Sequence, residues 1–435
     1  SKLDYKALCF WFSTGFFYKK ESFVKAKKNH PSFDQPDLKW HYTPNDISFK
    51  SAVSNFTDLF EFQIKSKLQG KRVILPISGG LDSRTIAAAL KEHRNVVVYS
   101  YEFENGLNET KYGKMIANKY SWDFHSFKIP RGYLWKRLIN LAKINQCEVE
   151  FTHPRQMAVI EEISQLGDII VSGSMGDLLF DSFNLSYDAN TTDLIQYAMQ
   201  TIVKPSGYEL ANELWNHWKL DKDFESELNK RIKTSLREIN IDNPNSLMRA
   251  FKVMNYVKRW TNVNMEVFTN YSKVYAPYHE NEICEFVCTL PEYHLSNRKI
   301  QIEYIKKRAP ELARIPWQDY DLDLYKYKYF NSIFFPRRIM RYAKRIIKEN
   351  ILGKPKIIER NWELQFLGKE NKKALEKWLF QNNGLHSIIP KEIISKYYKN
   401  FLDKDSIAYS HSISMLLTLA VWSRYNKSFH QDFEK

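Results

Sequence analysis

The chain has 435 residues, 43% of them apolar and 15% aromatic, which is ample for a large core; with only 15 Pro and 14 Gly, a disordered or fibrous chain is excluded. A mean hydropathy of −0.50 excludes a largely membrane-embedded protein. Lys and Arg number 65 against 50 Asp and Glu, a surplus of +15 that attracts anions such as nucleotide, nucleic acid, acidic lipid or acidic saccharide, and that also fits a plain basic surface.

The opening SKLDYKALCF carries no secretory leader and reads as a trimmed start. Residues 1–50 read as a short element followed by loops. The spacing of Phe56, Leu59, Phe60 and Ile64 predicts a helix over 47–67. Val73, Ile74, Leu75 and Ile77 form a short apolar run that breaks at Ser78-Gly79-Gly80, and DSRTIAAALKEH follows with helix formers. A second strand, NVVVYSYEF, leads to a helix capped by Asn108, with Tyr112, Met115, Ile116 and Tyr120 on its stripe. HSFKIP predicts a third strand. Helices are predicted at about 132–145 and 154–166, the latter with Pro154 in its first turn. DIIVSGSMGDLLF closes the region as strand, Gly-rich turn and helix start. Strands alternating with helices give an α/β fold with a doubly wound parallel sheet, whose ligands sit beyond the carboxyl ends of the strands. Both Ser-Gly turns, 78–80 and 172–173, fall at such ends.

After about residue 186 strand signals fade and helical periodicity runs to the end. Cys284 and Cys288 lie four apart, with only His279 nearby as a further metal ligand, so they and Cys9 and Cys147 read as buried thiols in a reducing, cytoplasmic setting. ISMLLTLAVW is shorter than the roughly 20 apolar residues that a membrane span takes and reads as a buried helix. The segment 336–350 predicts an amphipathic basic helix. It reads as a solvated face packed on the protein, or as a contact for anionic lipid at the inner membrane surface.

SGGLDSR (78–84) brings two glycines, flanking hydroxyls and one carboxylate to a strand-to-helix turn. Glycines let backbone N–H groups approach phosphate oxygens, the helix N-terminus adds a favourable dipole, and Asp82 is a hard ligand suited to Mg²⁺. No G-K-[ST] follows, so this is not a Walker loop.

These residues resemble the pyrophosphate loop of the ATP pyrophosphatases. SGSMGDLLF (172–180) is similar to the SGxGxDExFGG segment of class B asparagine synthetases and of the related β-lactam and lasso-peptide cyclases. FENGLNETKYGKMIA, VYAPYHENEICEFVCTLP and SISMLLTLAVWSRYNKSF agree with further family segments in order, so the resemblance spans about 50–430. It implies an adenine nucleotide α-hydrolase-like sheet with a large helical C-terminal part. Position by position, it implies that Ser78, Gly79, Gly80, Asp82 and Ser83 cradle the phosphates of ATP. Ile77, Tyr101, Ser172 and Gly173 line the adenosine pocket, and Asp82 and Asp177 hold Mg²⁺ from two facing turns. Residues 1–48 resemble the tail of a glutaminase-type domain; the synthetase-like part is 49–435, with a nucleotide-binding core at 49–185, a mainly helical remainder and a basic segment at 325–404.

The departures bear on the reaction. Ser174 stands where asparagine synthetases carry Glu and the β-lactam-forming relatives Tyr, and a serine needs an activating partner to serve as a base. Leu178 replaces the family's next Glu. The lysine expected after the lP…R segment has no counterpart in ARIPWQDYDLDLYKY, Lys326 and Lys328 being the nearest substitutes. With Ser1 in place of a Cys nucleophile, nitrogen is expected from free ammonia, a separate glutaminase or a substrate amine. The expectation is an ATP-dependent, AMP-forming ligase with catalytic Asp82, Asp177 and Ser174, acting on a carboxylate other than aspartate, of an acidic saccharide or a peptide. Two alternatives are a tRNA-modifying adenylating enzyme, disfavoured by the position of the loop, and a non-catalytic nucleotide-binding homologue.

Overall fold

The computed structural model describes residues 3–24, 38–329 and 357–425. The basic helix expected at 336–350 lies outside them. The strands β1 (Val73–Pro76), β2 (Val96–Phe103), β3 (Asp123–Ile129), β4 (Ile169–Val171) and β5 (Lys273–Tyr275) form one sheet in the order β3-β2-β1-β4-β5. Every pairing is parallel, with Val73 beside both Val96 and Ile169. β1, β4 and the first half of β2 are buried, as strands covered on both faces must be, whereas β3 at one edge carries exposed Asp123, His125 and Lys128.

From β1 the chain moves outward through β2 to β3, then returns to lay β4 on the other side of β1. Right-handed crossovers place the connections of these two excursions on opposite faces of the sheet. The strand order therefore reverses between β1 and β4, and a crevice opens beyond their carboxyl ends. The helix Leu81–Ala89 follows β1 and packs against Lys299–Arg308, which also meets Phe49–Leu68. Tyr133–Asn145 packs against Asn262–Thr269.

Two expectations need correction. The strand signal does not end at 186, since β5 adds a fifth strand; three edge residues are too few to show a period of two. The helix expected at 154–166 is two pieces, a 3₁₀ turn at Arg155–Ala158 and a short α-helix at Ile160–Ser164. Side chains of the turn are drawn onto β2, where Arg155 Nε donates to the Tyr101 hydroxyl at 2.6 Å and Gln156 accepts from the Tyr99 hydroxyl. Val159 then leaves helical geometry at φ −134°.

The first described residues are woven into the same core as the last. In the helix Tyr5–Thr14, Trp11 donates to the Glu148 carbonyl at 2.7 Å and stacks on Phe17. Phe23 stacks on Trp422 of the helix Ser406–Tyr425, whose apolar run is buried as expected. All four cysteines are buried and free. Among the described residues no helix is long and apolar enough to cross a membrane.

Candidate active site

The turn after β1 is tightly folded. Gly80 caps the helix Leu81–Ala89, which carries Asp82 in its first turn. Each N–H of the turn is met by a side chain: that of Ser78 by Ser83 Oγ at 3.4 Å, that of Gly79 by Gln318 Oε1 at 3.1 Å, and that of Gly80 by Ser78 Oγ at 3.2 Å. Gln318 lies so close that a Cβ on Gly79 would sit 2.5 Å from its own Cβ, and its amide nitrogen donates to Glu109 at 2.7 Å. Beneath the turn, fully buried Arg84 donates to the carbonyls of Gly79, Ile315 and Pro316. No carboxylate among the described residues forms an ion pair with it, and burial pushes its guanidinium down to about 10. The segment 312–318 is thereby fastened to the loop from two sides.

The turn after β4 packs against the first one. Its backbone runs through Met175 at φ +75°, a left-handed conformation uncommon for a residue with a side chain, and a short helix begins at Gly176 with Asp177 in its first turn. A Cβ on Gly173 would stand 3.1 Å from that of Asp82, and one on Gly176 only 2.6 Å from the Asp82 carboxyl carbon and 2.9 Å from the Tyr278 ring. The second turn therefore rests directly on the acidic residue of the first, and only glycine permits that approach at 176.

Around Asp82 a polar network has formed. Arg298 and Gln301 both donate to Oδ1, Gln301 at 3.0 Å. Gln301 also donates to the Tyr278 hydroxyl at 3.0 Å, and that hydroxyl donates to the Asp82 carbonyl at 3.2 Å. Burial raises the Asp82 carboxyl to about 6, against the lowering pull of Arg298, with the Asp177 charge adding to the rise. Arg298 and its neighbour Asn297 both take left-handed backbone, φ +59° each, so the reach of this arginine to Asp82 rests on two unusual residues in succession. A second, buried layer supports the other turn: Arg249, paired with Glu292 through two contacts, donates to the carbonyls of Leu178 and Asp181.

The other expected residues lie just after β1, on β2 and in the turn after β4. Ile77 is buried, its N–H donating to the Tyr99 carbonyl at 2.9 Å and its carbonyl accepting from Ser100 at 2.7 Å. Tyr101 stands on β2 two residues before its end, its hydroxyl accepting from Arg155 Nε. Ser172 accepts from the Ser174 N–H at 3.2 Å, and its own N–H donates to the Tyr275 carbonyl of β5. Ser174 and Tyr101 line a cavity of about 190 Å³ with His153, Gln156, Trp260 and Met265. Trp260 reaches it from a π-helical stretch, Val253–Thr261, that leads into Asn262–Thr269. Lys326, a substitute weighed for the family's lysine, instead turns to Asp323 at 3.5 Å.

Reasoning from the sequence missed Arg298, Gln301, Tyr278, Gln318 and His279. Each arrives from more than 100 residues away; Tyr278 and His279 lie within the family-like stretch at 274–291, and Arg298, Gln301 and Gln318 follow it.

Two hard carboxylates on facing turns suit Mg²⁺ bound to a polyphosphate, because Mg²⁺ takes one or two protein carboxylates and fills its shell with phosphate oxygens and water. They do not suit an all-protein metal cage, and no group of three or more His, Cys, Asp or Glu able to hold a metal occurs among the described residues.

A family model described as asparagine synthase matches residues 55–301, more than half of the chain. No curated protein matches it.

Proposed function

The chain belongs to the asparagine synthase family, whose chemistry is ATP-dependent amide formation by a ligase, and we propose that this member adenylates a carboxylate and passes the acyl group to an amine or ammonia. The observation that carries this reading is the abutment of Gly173 and Gly176 on Asp82 at the β1/β4 reversal, where two acidic turns meet beyond the strand ends. A triphosphate in the crevice exchanges its oxygens for the side-chain acceptors that now hold the amides of 78–80, Gln318 Oε1 first among them. Adenosine occupies the cavity by Tyr101 and Ser174.

The substrate carboxylate oxygen attacks the α-phosphorus, the bond to the bridging oxygen breaks, and pyrophosphate leaves with the electron pair. Arg298, on Asp82, is placed to offset the negative charge that builds on the leaving group. Mg²⁺, when bound at Asp82 and Asp177, supplies further charge neutralisation on the polyphosphate. Ser174 and Leu178, in place of the family's acidic side chains, favour a carboxylate other than aspartate. The surplus of +15 favours an acidic one, a uronic acid of a saccharide or a peptide carboxylate.

The test is ATP–pyrophosphate exchange over a panel of uronates and peptide carboxylates. Exchange that depends on one of these substrates and vanishes in Asp82→Asn is the expected result. Exchange untouched by that substitution refutes the assignment.

A further inference from the structure

We infer that Ser174 and His279 form a proton-accepting couple for the second half of the reaction, with Ser174 touching the incoming amine and His279 acting through it. The inference rests on the acyl-transfer reading above. Its geometric basis is a contact between two segments distant in sequence: His279 Nε2 lies 3.4 Å from Ser174 Oγ.

The fold delivers that imidazole to the crevice. β5 pairs with β4, and the Tyr275 carbonyl at its end accepts from the Ser172 N–H at 2.8 Å, so the chain leaving β5 emerges beside the second turn. It enters a 3₁₀ turn, Pro277–His279, whose last residue is tied back by its N–H to the Ala276 carbonyl at 2.9 Å. Adjacent residues of this turn address the two halves of the site. Tyr278 donates to the Asp82 carbonyl, and His279 meets the Ser174 hydroxyl. His279 is 8% exposed, so its ring is held rather than swinging in solvent.

The chemistry needs such a group. When an amine attacks the acyl carbon of an acyl-adenylate, the C–N bond forms, the C–O bond to AMP breaks, and AMP leaves with the electron pair. Nitrogen is left with one proton too many. A serine hydroxyl cannot hold that proton near neutral pH, but it can take it while passing its own to a neutral imidazole. Ser174, in the second acidic turn, lies on the wall of the cavity proposed for the adenylate, which is where the amine must arrive. His153 lines the same cavity but is a poor alternative. Burial, with Arg155 and Lys204 adding to it, pushes its imidazole down to about 3, too weak to accept an ammonium proton, and its ring lies against Trp260.

Two measurements test the couple. In the ¹⁵N-histidine-labelled full chain, the His279 ring is expected as the tautomer with Nε2 unprotonated, and Ser174→Ala is expected to shift its resonances. Nε2 protonated at neutral pH and insensitive to Ser174→Ala overturns the couple. Kinetically, with the carboxylate that gives the strongest exchange, His279→Ala and His279→Asn are expected to slow amide formation from ammonia by roughly 10²–10⁴-fold while pyrophosphate exchange changes far less. Hydroxamate formation from hydroxylamine, whose protonated adduct is the stronger acid and sheds its extra proton to water more easily, is expected to lose far less, and added imidazole to restore part of the ammonia-dependent rate in His279→Ala. Equal losses with ammonia and hydroxylamine and no rescue mean that His279 is structural, which overturns the inference alone. Wild-type protein without exchange on any carboxylate of the panel overturns the reading beneath it as well.

Discussion

The turns after β1 and β4 occupy equivalent places in the sheet and are built in different ways. The first is local: Ser78, Gly79, Gly80, Asp82 and Ser83 lie within six residues, and Ser78 and Ser83 satisfy two of its three amides. The second borrows its support. Its backbone passes through a left-handed Met175, its carbonyls at 178 and 181 are held by Arg249, and its hydroxyl at 174 meets a histidine from beyond β5. Even the buried arginines differ, Arg84 standing on carbonyls while Arg249 has a carboxylate partner. A turn that carries its chemistry in its own sequence can be read from that sequence. A turn that is assembled from distant segments can lose its family residues and be refitted from elsewhere.

The largest effect that would break this contrast concerns the borrowed support. Glu292→Leu leaves the Arg249 guanidinium buried without its counter-charge, and is expected to cost about 3–5 kcal/mol of stability in denaturant unfolding. A cost below about 1 kcal/mol, too little for a broken buried ion pair, would show that the second turn supports itself. The first turn is sharpened by a smaller effect. Gln318→Ala frees the Gly79 amide of one competing acceptor, and ATP is expected to bind roughly two- to tenfold tighter with the unfolding midpoint nearly unchanged, in keeping with the net worth of one hydrogen bond. Weaker ATP binding in this variant would instead make Gln318 a contributor to the ATP site.

Legibility in the sequence follows the same division. Asp82 and the serines and glycines around it could be read because strand, turn and helix succeed one another within a dozen residues. The alternation of β1, β2, β3 and β4 with helices likewise gave the parallel sheet. β5 was hidden because three edge residues show no periodicity. Arg298 and His279 were hidden because nothing local marks an arginine or histidine whose partner lies across the fold. The break at Val159 was hidden for a related reason, since the pull of Tyr99 and Tyr101 on Gln156 and Arg155 is a tertiary effect that outweighs helix propensity. Ser174 was visible as a departure, and its counterpart became visible only in three dimensions.

In the proposed mechanism Asp82 and Asp177 act on one bound polyphosphate. Calorimetric titration of ATP with Mg²⁺ into wild type, Asp82→Asn, Asp177→Asn and the double variant tests it most directly. Each single change is expected to weaken binding at least about tenfold, and the double change to be no worse than the weaker single, a coupling of about 1.4 kcal/mol or more. Strictly additive losses, or an Asp177→Asn variant that binds as wild type does, would contradict it.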